Sequence, residues 1–251
     1  MTNRYSRQIL FPGIGKAGQK RLGNSSVVII GCGGLGATIA TSLVRAGVGR
    51  VRIIDRDIIR YHNLHRQVLY DEEDVGLRLP KAIAAERHLK RINSSVEVEG
   101  IVTEVNQTSI EGLVSGANVI LDGTDNFEIR LLMNDVSLKQ NIPWIYGGAV
   151  ASLGMTMTII PHQTACFRCR FPSADPKAIF TSDTAGIIGP APFVIGSLEA
   201  AEAMKILVGA EEVNRDLIFI DVWRGTFQRL RVNPRQDCPA CQGRYEFLEK
   251  S

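Results

Sequence analysis

The chain has 251 residues, 45% hydrophobic and 22% charged, with a formal net charge of +3. That length buries a sizeable core, as one large α/β domain or two modest ones. The basic residues are scattered rather than clustered, which argues against nucleic-acid binding, and no apolar stretch is long enough to span a bilayer.

The N-terminus reads Met-Thr-Asn-Arg-Tyr-Ser-Arg7, without the apolar core of a secretory signal. Ser26–Ile30 is a β-branched run that predicts a strand, followed by the loop Gly31-Cys-Gly-Gly-Leu-Gly36. A helical pattern then runs through Leu35, Ile39, Leu43 and Val44 to about Gly47. Residues 51–54 predict a second strand ending on Asp55, and Lys81 opens a helix through Ile83, Leu89 and Ile92. Residues 96–102 and 119–121 predict further strands, the latter running through Asp122 into Gly-Thr-Asp125-Asn126. After Gly147-Gly148 the texture changes. Residues 154–160 and 227–232 alternate like antiparallel strands, with the more continuous apolar run 217–222 between them. Residues 197–207 predict an amphipathic helix, and 171–192, rich in Pro, Gly, Ser and Asp, predicts a long functional loop. The expected fold is a Rossmann-like, doubly wound α/β sheet, mostly parallel with antiparallel C-terminal strands. We expect a single domain over 1–251, with a nucleotide-binding half (1–150) and a half (151–251) holding the antiparallel strands, a crossover loop and a metal site.

Gly31, Gly33 and Gly36, with Gly34 between them, fit a phosphate-binding loop that follows a strand and opens a helix. Asp55 closes the second strand, where a ribose-binding acid belongs. Taken alone, the loop also fits a tight turn with no ligand, or NAD binding. The residues that follow do not suit hydride transfer. Arg7, Asn63, Arg66, Gln67 and Lys81 supply cations and amides, and Asp125 with Asn126 adds a second carboxylate at a strand end. A triphosphate with a divalent cation uses such groups: guanidinium forks match phosphate oxygens, Lys supplies a point charge and Asp holds Mg2+. Each is, singly, also an ordinary solvated surface side chain.

Cys166-Phe-Arg-Cys169 and Cys238-Pro-Ala-Cys241 form two pairs at metal-ligand spacing. Two such pairs favour a closed, structural four-cysteine zinc site over a redox pair, and they fit a reducing cytoplasm. The zinc would clip the C-terminal segment onto the strand preceding Cys166.

The ordered set Arg4-Tyr-Ser-Arg7-Gln8, Gly31-Cys-Gly-Gly-Leu-Gly36, Asp55-Arg-Asp57, Asn63-Leu-His-Arg66-Gln67, Pro80-Lys81 and Asp122-Gly-Thr-Asp125-Asn126 resembles the ubiquitin-activating-enzyme superfamily. Within it, the likeness is to the ThiF/MoeB/HesA adenylyltransferases that activate small sulfur-carrier proteins, and it runs from about Arg4 to Gln242. The resemblance implies ATP, Mg2+ and Zn2+ as cofactors. Asp55 would hold the ribose, Asn63, Arg66 and Lys81 the phosphates, and Asp125 the Mg2+. Arg7 would reach across a two-fold interface into a partner's site, which implies a homodimer. The substrate implied is the C-terminal glycine carboxylate of a ubiquitin-like carrier ending in Gly-Gly, which is ionised at neutral pH and needs no general base.

Many relatives carry a cysteine in the loop after the first zinc pair; here Thr181-Ser182-Asp183 stands there, with Ser182 at that position. A serine hydroxyl is hardly ionised at neutral pH, so an external sulfur donor or amine is expected to take the acyl group. Cys32, the remaining cysteine, is expected to pack beneath the phosphate loop. Three other readings stand beside this one: a peptide- or natural-product-modifying adenylyltransferase, a tRNA threonylcarbamoyladenosine dehydratase, and a non-catalytic scaffold.

Overall fold

In the computed structural model, residues 3–172 and 182–249 are described. Among these residues, eight strands form one sheet: β1 (Ser26–Ile30), β2 (Arg50–Ile54), β3 (Glu97–Ile101), β4 (Val119–Asp122), β5 (Trp144–Val150), β6 (Leu153–Ile159), β7 (Leu217–Asp221) and β8 (Thr226–Leu230). Their spatial order is β3-β2-β1-β4-β5-β6-β7-β8. The first five pair in parallel, and β5 through β8 continue antiparallel. Connection length decides the change. Parallel neighbours need a crossover element, whereas two residues suffice to turn β5 back into β6.

The helices are α1 (Ser6–Leu10), α2 (Gly15–Gly23), α3 (Gly34–Ala46), α4 (Glu72–Gly76), α5 (Lys81–Ile92), α6 (Ile110–Val114), α7 (Phe127–Gln140), α8 (Phe167–Arg170), α9 (Ser182–Ala185) and α10 (Pro190–Val208). Alternation along β1 sends successive side chains to opposite faces of the sheet. Val27 and Ile29 join a core with α2, α3, α5 and α10, while Val28 and Ile30 join a second core with α6, α7 and α8. Among the described residues, no helix is long and apolar enough to cross a membrane.

Two expectations need correction. The helix predicted over 197–207 begins at Pro190, because a proline is tolerated in the first turn, where its missing N–H would be unsatisfied anyway. Nor is it amphipathic: it packs against α3 on one side and against β5 and β6 on the other, so few positions are left to solvent. The predicted loop 171–192 is therefore shorter and is interrupted by α9; its stretch 173–181 lies outside the described residues. Between α4, whose N-cap Asp71 accepts from the Asp74 N–H, and α5, Arg78 turns the chain at a positive φ of 52°.

The N-terminal segment is fastened to the helix ends beneath it. Arg4 Nη1 donates to the Ile92 carbonyl (3.0 Å), and Asn93 Nδ2 to the Tyr5 hydroxyl (2.8 Å). Gln8 Nε2 donates to the Ala46 carbonyl at 2.8 Å. The Tyr5 ring lies over Gly47, where a Cβ would come within 2.4 Å of it.

Candidate active site

Strand order reverses direction between β1 and β4, and ligands of open α/β sheets bind outside the carboxyl ends at such a point. A cavity of about 650 Å3 opens there. Its floor is the loop after β1. Gly31 has φ of 87°, and a Cβ on it would stand 2.6 Å from the Gly123 carbonyl oxygen, so only glycine lets the β1 and β4 loops close on each other. Gly33 and Gly34 line the cavity, and α3 opens at Gly34 with its N–H groups toward it. Gly36 does not line it. Its Cα face packs against the Gly31 carbonyl, so it contributes to the shape of the turn.

Asp55, Asn63, Arg66, Lys81, Asp125 and Asn126 all line this cavity. Asp55 accepts N–H bonds from Cys32 (2.7 Å) and Asp57 (2.8 Å), which ties β2 to the glycine loop. Burial pushes the Asp55 carboxyl up, and the Lys81 ammonium pulls it partly back. Asn63 is buried, and its Oδ1 accepts from the Arg60 N–H at 3.1 Å. Arg66 Nη1 donates to the His62 carbonyl (2.8 Å). Asn126 caps α7, its Oδ1 accepting from the N–H groups of Glu128 and Ile129, so its oxygen is occupied by the fold. Asp125 is exposed at the mouth of the cavity. Arg7 is exposed on α1 and does not line this chain's cavity. Cys32 is wholly buried, and burial pushes its thiol up to about 12. Ser182 opens α9; its side chain lies outside the described residues.

Sequence reasoning missed Arg130, which also lines the cavity. Its Nε donates to Asp122 Oδ2 at 2.8 Å, and its Nη2 to the carbonyls of Thr124 (2.6 Å) and Gly147 (2.9 Å). Asp122 is fully buried; burial raises its pKa and Arg130 opposes the rise. The available signal was an Arg in the first turn of a helix that directly follows a strand-end Asp.

Glu199 of α10 is fully buried, and neither carboxyl oxygen finds a hydrogen-bond partner among the described residues. A Cβ at Gly147 would lie 1.9 Å from its Oε1, so glycine in β5 makes room for the carboxyl. Burial, reinforced by Asp122, holds this carboxyl well above the usual carboxylate range. A native pKa above the unfolded value means that stability falls as pH rises through the window between them. Glu199→Gln lacks that loss, so its stability relative to the native chain should rise from pH 5 to pH 8 in denaturant titrations. A pH-independent difference would show that Glu199 does not titrate with unfolding.

The second centre lies on the α7 face of the sheet. All four sulfurs of Cys166, Cys169, Cys238 and Cys241 lie within 4.8 Å of one another. Cys166 Sγ stands 3.8 Å from that of Cys169 and 3.5 Å from that of Cys238, and Cys169 and Cys241 are 3.5 Å apart. A tetrahedron with thiolates about 2.3 Å from a central metal has edges of about 3.8 Å, so the donor set fits such an ion. Between the first pair sits Phe167, whose ring contacts Trp144, Tyr146, Phe127 and Phe171 at centroid distances of 5.4, 5.0, 5.2 and 4.7 Å. Tyr146, Phe127 and Phe171 also line the cavity at the carboxyl end of the sheet, so the two centres share a wall.

The ThiF family profile matches residues 5–240. The chain belongs to the ThiF family. Among ThiF-family relatives, it is 46% identical over 243 residues to the sulfur carrier protein ThiS adenylyltransferase of Bacillus subtilis, covering 96% of this chain and 72% of that protein. It is 37% identical over 247 residues to the sulfur carrier protein adenylyltransferase of Thermus thermophilus, covering 95% and 90%. The crystal structure of E. coli MccB with ATP superposes with a TM-score of 0.84 at 28% identity, covering 96% of this chain and 75% of that one.

Proposed function

We propose that this ThiF-family chain is an adenylyltransferase that uses ATP and Mg2+ to activate the C-terminal glycine carboxylate of a ubiquitin-like sulfur-carrier protein ending in Gly-Gly. The observation that carries this reading is one continuous cavity with two unlike sides. At one side stand the glycine loop, Asn63, Arg66, Lys81 and Asp125; on the β5–β6 side, Gly148, Ala149 and Gly154 line it. The small residues suit an extended glycine tail, and the polar side suits a metal-bound triphosphate. The names of the two adenylyltransferase relatives support the same substrate class.

In this reading Asp55 holds the ribose hydroxyls, Asn63, Arg66 and Lys81 hold phosphate oxygens, and Asp125 holds Mg2+. The carboxylate attacks the α-phosphorus, and pyrophosphate leaves. The nucleophile is already ionised, so the residues contribute positioning and charge rather than proton transfer. Two chains form a homodimer, each placing Arg7 in the other's cavity. The exposed apolar side chains Leu10 (70%) and Phe11 (62%) beside Arg7 give such an interface its apolar contact. The four-cysteine centre holds Zn2+ as a structural clip, and reduced cysteines fit a cytoplasmic enzyme. Cys32 is buried and its thiol is pushed up, so it is no nucleophile; the acyl carbon is instead attacked by an external sulfur donor, and AMP leaves.

Pyrophosphate exchange with the full chain, Mg-ATP and small Gly-Gly-ended carriers tests this directly. Exchange should require a carrier and vanish when its last glycine is removed. Exchange supported by a short unrelated peptide but by no carrier would reject the carrier reading.

A further inference from the structure

Lys81 carries its ammonium in an unfavourable place. It is the first residue of α5, at the positive end of the helix dipole, and its side chain is only 9% exposed. Asp57 supplies the counter-charge, accepting from Nζ at Oδ2 over 2.9 Å. The backbone straps the two residues together before any ligand arrives. The Lys81 N–H donates to the Asp57 carbonyl at 2.8 Å, and Ile58 bridges Pro80. The other carboxylate near Lys81, Asp55, is committed to two backbone N–H groups.

Asp57 is not so confined. Its side chain is 59% exposed. It lines the main cavity and also a smaller one of about 190 Å3, walled in addition by Ile58, Arg60 and His62. The carboxylate therefore has open space beside it, in a cavity that Arg60 lines together with Asn63 and Lys81.

We propose that Asp57 is a positioning residue that occupies Lys81 while the site is empty and turns toward Arg60 when a nucleotide phosphate takes its place. The proposal rests on the reading above that Lys81 faces the nucleotide phosphates. A free anion must displace a carboxylate to reach Lys81. Inorganic pyrophosphate, which brings no base or ribose contacts, is then held weakly and leaves after the reaction, whereas the whole nucleotide completes the exchange.

Titration calorimetry of the full chain with inorganic pyrophosphate tests this in the native protein, Asp57→Asn, Lys81→Gln and the double variant, each checked by thermal melting. Asp57→Asn should bind pyrophosphate roughly five-fold tighter, the scale of one partly exposed ion pair, and the gain should vanish in the Lys81→Gln background. Asp57→Ser is measured alongside, so a folding defect in one variant still leaves a neutral side chain at this position. Unchanged or weaker binding, an equal gain in both backgrounds, or no binding by any variant overturns the proposal. If this pattern holds but carrier-dependent exchange does not, the carrier reading fails and Asp57 keeps its role. Normal exchange without the pattern sinks only Asp57.

Discussion

Chain carrying Cys238→Ser should be recovered with little zinc and should melt about 10 °C or more below the native protein. Cys238 is buried, and its sulfur is one corner of the four-thiol cluster. Structural zinc contributes about 10–16 kcal/mol to the folding of small peptides that have little else to hold them. Here a large hydrophobic core persists without it, so only part of that is lost. A loss of about 4 kcal/mol, at roughly 2–4 °C per kcal/mol for a domain of this size, still gives the expected fall. The loss should reach the nucleotide side as well, because Phe167 sits between two of the ligands and braces Tyr146 and Phe171. Weakened ATP binding in the surviving folded fraction is the second expected readout. Metal analysis of the native protein finding far less than one zinc per chain, or a variant that melts normally, would refute the clip.

Arg130→Ala should cost about 3–5 kcal/mol, the usual result of removing one partner from a buried ion pair. It strips Asp122 of its counter-charge and leaves the carbonyls of Thr124 and Gly147 without their donor. The pH dependence is the sharper test. The Asp122 carboxyl already sits above its usual range through burial, and Arg130 is what restrains it. Without Arg130 the native-state pKa climbs further, so the variant's stability is lost as pH rises and regained as the solution is acidified toward the ordinary carboxylate range. Urea titrations at pH 5 and pH 8 should therefore show a smaller deficit at pH 5. Replacing both residues by Leu should be milder than Arg130→Ala, since no charge is then stranded. A deficit independent of pH would mean that Asp122 is not the stranded group.

The elements around the glycine loop were legible because local chemistry and tertiary role agree there. A β-branched run ends in glycines, and Pro80 fixes the start of α5 at Lys81. Six polar residues picked from strand ends and their loops, Asp55, Asn63, Arg66, Lys81, Asp125 and Asn126, converge on one cavity because an α/β sheet gathers its strand ends in one place. What stayed hidden depends on partners distant in the chain. Two glycines made β5 look like a break, although Gly147 is there to accept Glu199 from a helix some fifty residues on. The polar residues Asn134 and Asp135 obscured α7; they are buried because they accept from the N–H groups of Phe167 and Phe247. Burial on both sides likewise removed the periodicity that would have marked the start of α10.

The fastening of the first turn has a thermodynamic consequence for whatever surface receives Arg7. A guanidinium on a slack N-terminal tail would lose backbone freedom each time it docked, on the order of 1–2 kcal/mol for every residue ordered. Here Tyr5 lies over Gly47 and Gln8 reaches the end of α3, so the backbone on either side of Arg7 is immobilised when the chain folds. Docking then restricts little more than the rotamers of one side chain. Arg7 is presented preorganised, and a neighbour that accepts it gains the contact without having to order the segment that bears it.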